Sequence, residues 1–202
     1  MFTRRSLLGY WNELRPYFIF AVILFFAGIV VGGATSSAND WLLNQLQALS
    51  RMAENARASA HPTRAFFVTI LLNNVIQSII SMYMGVAAAI WPVVMLVTNG
   101  MILGYLFGGL ADHGENVGLL ILKGILPHGI LELPAVFLAC AVGIRFGVTL
   151  LKGIWGSLLG KDGAWNGFVR TATGSVPALV VVVVMLLAAA AVESTVTNWL
   201  MR

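Results

Sequence analysis

The sequence predicts an all-α membrane protein: a polytopic bundle of about five transmembrane helices, with an interfacial amphipathic helix after the first span and a broken helix near Pro127. Three observations carry that expectation. Of the 202 residues, 59% are hydrophobic and only 10% are charged, whereas an ordinary soluble domain has about 25% charged residues. The mean hydropathy is +0.88, with the apolar residues gathered into runs of the roughly 20 that a bilayer demands. A soluble chain of this length leaves too much surface in water to hide so many apolar side chains. Residues 1–202 therefore read as a single integral membrane domain in a cell membrane, with the lipid bilayer as its first partner.

Residues 1–15 form a basic, amphipathic lead-in whose Trp11 suits the headgroup level. The first span follows over residues 16–33, with Pro16 in a helical first turn. Arg4 and Arg5 ahead of an apolar stretch imitate a signal peptide. The stretch is longer and more uniform than the 7–15 residues of an apolar signal core, so it is read as a retained span rather than cut near Ala34. Residues 35–40 form a polar turn. In the interval 40–60, Leu42, Leu46, Leu49 and Ala53 recur at helical spacing, while Gln45, Gln47, Arg51, Glu54 and Arg57 occupy other faces. That helix is too polar to span and is expected in the interface.

The second span, 64–89, carries Asn73, Asn74 and Gln77, a heavy polar load that predicts hydrogen bonds between helices or a polar cavity. The third, 91–110, places Asn99 near its middle and repeats small residues at Gly100, Gly104 and Gly108, a spacing that lets helix backbones approach closely. The loop Asp112-His113-Gly114-Glu115-Asn116 holds a histidine between carboxylates but follows no recognised metal-ligand spacing. The apolar run 117–148 is longer than one span needs, so a lead-in or re-entrant half-helix is expected before Pro127 and a full span after it. Arg145, Lys152, Lys161 and Arg170 then suggest an interfacial helix and loop. The last span covers 176–196 with Glu193 near its end, and Trp199 and Arg202 suit the interface.

The formal charge of +4 comes from basic residues scattered between apolar runs, which points to topology and not to nucleic acid. Seven of the twelve Lys and Arg fall on the N-terminal side of a five-span arrangement (Arg4, Arg5, Arg15, Arg145, Lys152, Lys161, Arg170) and five on the other, favouring a cytoplasmic N-terminus. The single cysteine, Cys140, excludes an intramolecular disulfide and reads as a small hydrophobe.

The chemistry concentrates in Pro127-His128-Gly129-Ile130-Leu131-Glu132-Leu133-Pro134. His128 and Glu132 stand four apart on one helical face. An ionisable group at membrane depth costs roughly 2.5–3.5 kcal/mol on insertion scales and is expected to face protein or water. With Asn74, Asn99 and Glu193 they form a candidate intramembrane polar or ion site, flanked by Pro127, Gly129 and Pro134 at the helix break and Gly100 and Gly104 at a packing face. Three readings stay open: structural pinning of a broken helix, a path for a cation or proton, and catalysis. His128, Glu132 and Glu193 would suit a divalent cation, though no metal is assigned. The second histidine of a zinc-protease motif is missing, and no nucleophile triad, phosphate loop or dinucleotide fingerprint is present. No catalytic residues and no resident cofactor are assigned, and the chain is not read as an enzyme.

The passage LPHGILELPAVFLACAVGIRFG resembles the signature of the stage II sporulation protein M family of integral membrane proteins, and LLNNVIQS, TNGMILGYLFG and AAAAVESTVT fit it as well. The resemblance covers most of the chain after about residue 60 and points to Asn74, Asn99, Gly100, His128, Gly129, Glu132, Pro134 and Glu193. It implies a membrane scaffold that anchors envelope-remodelling or cell-wall-degrading partners, as founding members do in spore engulfment. The alternative is a transporter or channel using the His/Glu site. Small-residue faces and apolar surface also lead us to expect a homodimer, the commonest closed assembly.

Overall fold

A computed structural model describes residues 4–35, 40–114 and 116–197. Some side chains within those ranges, that of His128 among them, lie outside the description, as do the expected anchors Trp199 and Arg202. The described residues are mostly helical and contain no strand. The helices are α1 (Arg4–Gly33), α2 (Asp40–Arg57), α3 (Pro62–Tyr83), α4 (Ile90–Asp112), α5 (Val117–Leu120), α6 (Leu126–Leu158) and α7 (Asn166–Val192). A 3-10 turn follows α3, and π turns occupy Ile121–Ile125 and Glu193–Thr197. Five stretches are long and apolar enough to cross a membrane: Leu8–Gly33, Arg64–Val86, Ile90–Asp112, Gly129–Leu158 and Asn166–Thr195.

Three details differ from the sequence reading. The basic lead-in and the first span are one helix, with Pro16 exposed inside it and not at its start. The carbonyl that the proline ring leaves without a helical donor is that of Asn12, in the polar stretch ahead of the span. Next, the helix break before the fourth span is a π turn just ahead of Pro127, and α6 then runs unbroken through Pro127 and Pro134. Finally, the helix does not end near Arg145. Helix α6 continues to Leu158, and α7 starts at Asn166 instead of near residue 176.

Helix α6 is the core of the bundle. In its most apolar stretch 72% of residues are buried, against 17–33% in the other four spans, so its neighbours shield it from lipid nearly all round. One side packs Phe137, Cys140 and Ile144 against Ala21 and Phe25 of α1 and Leu96 of α4. The other packs Ala139, Val142 and Phe146 against Met82 of α3 and Ala178, Val182 and Leu186 of α7. Rings of α1 and α6 lock edge to face, with Phe25 and Phe137 centroids 5.2 Å apart. Where α3, α4 and α6 meet, the Ser81 hydroxyl and the Cys140 thiol both donate to the Met95 sulfur, at 3.1 and 3.6 Å.

Glycines set the spacing of two seams. Between α1 and α4, a Cβ on Gly28 would lie 2.6 Å from the Val97 carbonyl oxygen, and Cβ atoms on Gly100 and Gly104 would strike the Phe25 and Ile29 carbonyls. Between α6 and the α3–α4 connection, Gly143 faces Gly85 and Ser81, and Gly147 lies against Ala89. That connection holds Ala88 and Ala89 at φ 55° and 63°. Alanine adopts this left-handed conformation at a cost of about 1–2 kcal/mol each. That connection packs directly against α6. Helix α2 is the outlier: its described side chains bury only Leu42 and Ala56, and it rests chiefly on α3.

Candidate functional site

The polar residues of α3 are tied to one another. Gln77 donates to the Asn73 side-chain oxygen at 3.4 Å, and Asn73 donates to that of Asn74, also at 3.4 Å. Both bonds are long and run along the helix, so the structure puts these amides in a local chain where sequence reasoning expected links between helices. Asn74 itself is half-buried.

Glu193 opens the second π turn. Its backbone N–H is shared between the Ala189 and Ala190 carbonyls, and the Ser194 and Thr195 hydroxyls donate to the Ala191 carbonyl at 3.2 and 2.6 Å. Hydroxyls that bond back to the helix compete with its backbone ladder, which accounts for the loosened turn at this point. Wide turns of this kind gather at functional sites. Here two of them touch: the Glu193–Thr197 turn packs on the Ile121–Ile125 turn, on α6 and on α3.

The elements carrying Asn74, Glu132 and Glu193 thus meet at one end of the bundle. Glu132 and Glu193 are both half-buried and each has an interaction partner. His128 belongs to the first turn of α6 by its backbone. Asn99 is half-buried on α4, a helix that packs chiefly on α1 and is not among the main neighbours of the Glu193 turn. Among the described residues no three His, Cys, Asp or Glu converge to hold a metal ion.

Ser194 also lines a cavity of about 690 Å³ with Ala60, His61, Pro62, Arg64 and Phe67, open at the α2–α3 end. Sequence reasoning had passed over His61 and Arg64. Their signal was a basic pair on either side of Pro62, the residue that starts α3.

A second cluster was missed altogether. Arg145, only 4% exposed, forms an ion pair with Glu13 of α1, and Arg170 of α7 reaches the other carboxylate oxygen at 2.6 Å. The Arg145 guanidinium lies over the Tyr10 ring, 4.8 Å from its centroid, a cation–π contact. One carboxylate therefore joins three helices, and it is what allows an arginine inside a spanning stretch. Among the described residues, the Arg145 Nη1 and the Tyr10 hydroxyl have no hydrogen-bond partner. The sequence clue was Arg145 within the apolar run AVGIRFGVTLL; the acid that meets it, Glu13, comes from α1, a pairing that spacing along the chain does not reveal.

Comparison with known proteins finds one family: the model of Stage II sporulation protein M matches residues 21–198. The match begins in the first span, well before the motifs that suggested the resemblance. No curated protein and no solved structure matches the chain.

Proposed function

Because this chain belongs to the stage II sporulation protein M family, we propose that it is a membrane scaffold that anchors envelope-remodelling partners. Helix α2 carries the reading. It is 18 residues long, joined by short links to two spans, and held at Leu42 and Ala56, while Leu43, Met52 and its polar faces stay exposed. A helix fixed to a rigid bundle but open along its length suits recognition of a partner's apolar stripe. On this reading the protein acts without catalysis, as a homodimer in the cell membrane with a cytoplasmic N-terminus.

The test compares recruitment of candidate cell-wall hydrolases to membranes that contain the wild-type protein or a variant at equal abundance. Leu43→Asp with Met52→Asp should abolish recruitment, while Glu132→Gln leaves it intact. Recruitment that survives the α2 changes would overturn the proposal.

A second reading, a cation or proton path, draws on the paired π turns and the open cavity that reaches Ser194. Buried Glu and His chains serve such paths, and a divalent cation held by His128, Glu132 and Glu193 is one form of it. It requires that Glu132→Gln and Glu193→Gln each abolish ion-dependent flux in proteoliposomes while the protein stays folded. Absence of flux from the wild type would eliminate it.

A further inference from the structure

We propose that the α6–α7 hairpin carries a binding site for an anionic phospholipid of the leaflet on the N-terminal side of the bundle. Helix α6 has 33 residues, about 50 Å at 1.5 Å per residue, whereas the hydrocarbon core is about 30 Å thick. The Glu13–Arg145–Arg170 layer ties α6 to the start of α1, so residues 146–158 reach the headgroup region at that end.

A groove of about 600 Å³ lies there, lined by Leu151, Lys152, Ile154, Trp155, Gly156 and Lys161. Local backbone chemistry builds it. The Lys161 N–H bonds the Gly156 carbonyl at 2.9 Å and the Gly160 N–H bonds that of Ser157 at 3.1 Å, with Gly160 at φ +64°. These paired bonds form a Schellman cap, and the cap folds Lys161 back beside the last turns of α6. Two ammonium groups thereby flank an apolar floor on which Leu151 is 52%, Ile154 44% and Trp155 67% exposed.

Asp162 is the chain neighbour of Lys161, and Arg170, farther along the hairpin, is occupied by Glu13. With Lys152 and Lys161 as its charged groups, the described lining is net cationic. A phosphate diester between Lys152 and Lys161, with its acyl chain along Leu151 and Ile154 and the Trp155 ring at the headgroup level, satisfies both halves of this surface. A soluble anion would leave the apolar half in contact with water.

Delipidated full-length protein in a neutral detergent is titrated with phosphatidylglycerol, phosphatidylcholine or inorganic phosphate, and bound lipid is read by native mass spectrometry. Phosphatidylglycerol is expected to bind at least about tenfold more tightly than phosphatidylcholine, and phosphate should not displace it. Lys152→Gln with Lys161→Gln should weaken phosphatidylglycerol binding about 30-fold, and Lys152→Arg with Lys161→Arg should preserve it. Unchanged affinity in the glutamine variant, equal affinity for the two lipids, or displacement by phosphate alone would each overturn the proposal.

Discussion

Glu13 shows how a single side chain can decide whether a spanning helix tolerates a charge. Removing one partner of a buried pair leaves an uncompensated ion, which costs about 3–5 kcal/mol in a fully buried setting. Glu13 is 37% exposed, so Glu13→Gln is expected to cost somewhat less, about 2–3 kcal/mol. Thermal unfolding in detergent should show a lowered midpoint. Arg170 is 55% exposed, and Arg170→Gln should cost under about 1 kcal/mol. Equal effects from the two changes would contradict a cluster whose main bond is the Glu13–Arg145 pair, with Arg170 at its edge. Legibility in the sequence divides along the same line. His128 and Glu132 stand out because they are four apart within one apolar run. Glu13 and Arg145 are 132 positions apart, and only the folded chain brings them together.

At the scale of elements, the number of spans and the amphipathic character of α2 were legible because period and hydropathy are local properties. Helix ends were less so. Pro16 looked like a start and lies inside α1, and Arg145 looked like an end and is paired inside α6. The wide turn at Glu193 left only a faint trace, the serine and threonine that follow it. Small-residue spacing at Gly100 and Gly104 was weak in the sequence and is decisive in the structure, since the backbones of α1 and α4 meet there. Gly104→Val should force these helices apart at a cost above about 3 kcal/mol, the upper range for overpacking. Gly109 on the same helix has nothing within 4 Å of an added Cβ, so Gly109→Ala should be neutral or stabilising by up to about 1 kcal/mol. Size-exclusion profiles of the two variants after mild heating compare them directly.

For the whole molecule, five spans put the α2–α3 junction and the α6–α7 hairpin on opposite sides of the membrane. Cysteines introduced at Arg57 and Lys161 should label from opposite faces, with the residue-161 site reacting from the face that holds the N-terminus. Cys140, 0% exposed, should stay silent. Labelling of both sites from one face would exclude an odd number of spans between α2 and the hairpin. The central place of α6 also bears on how the protein is made. Ribosomes deliver α1, α3 and α4 to the bilayer first; α1 and α4 can pack on each other there, while α3 waits for α6, its chief neighbour. The left-handed Ala88–Ala89 connection waits too, until Gly143 and Gly147 arrive beneath it. A chain ending at residue 114 should therefore insert yet remain open to membrane proteases, while one extended to residue 165 gains resistance. Biogenesis of this protein is then a matter of keeping an unfinished bundle safe until its fourth span is threaded.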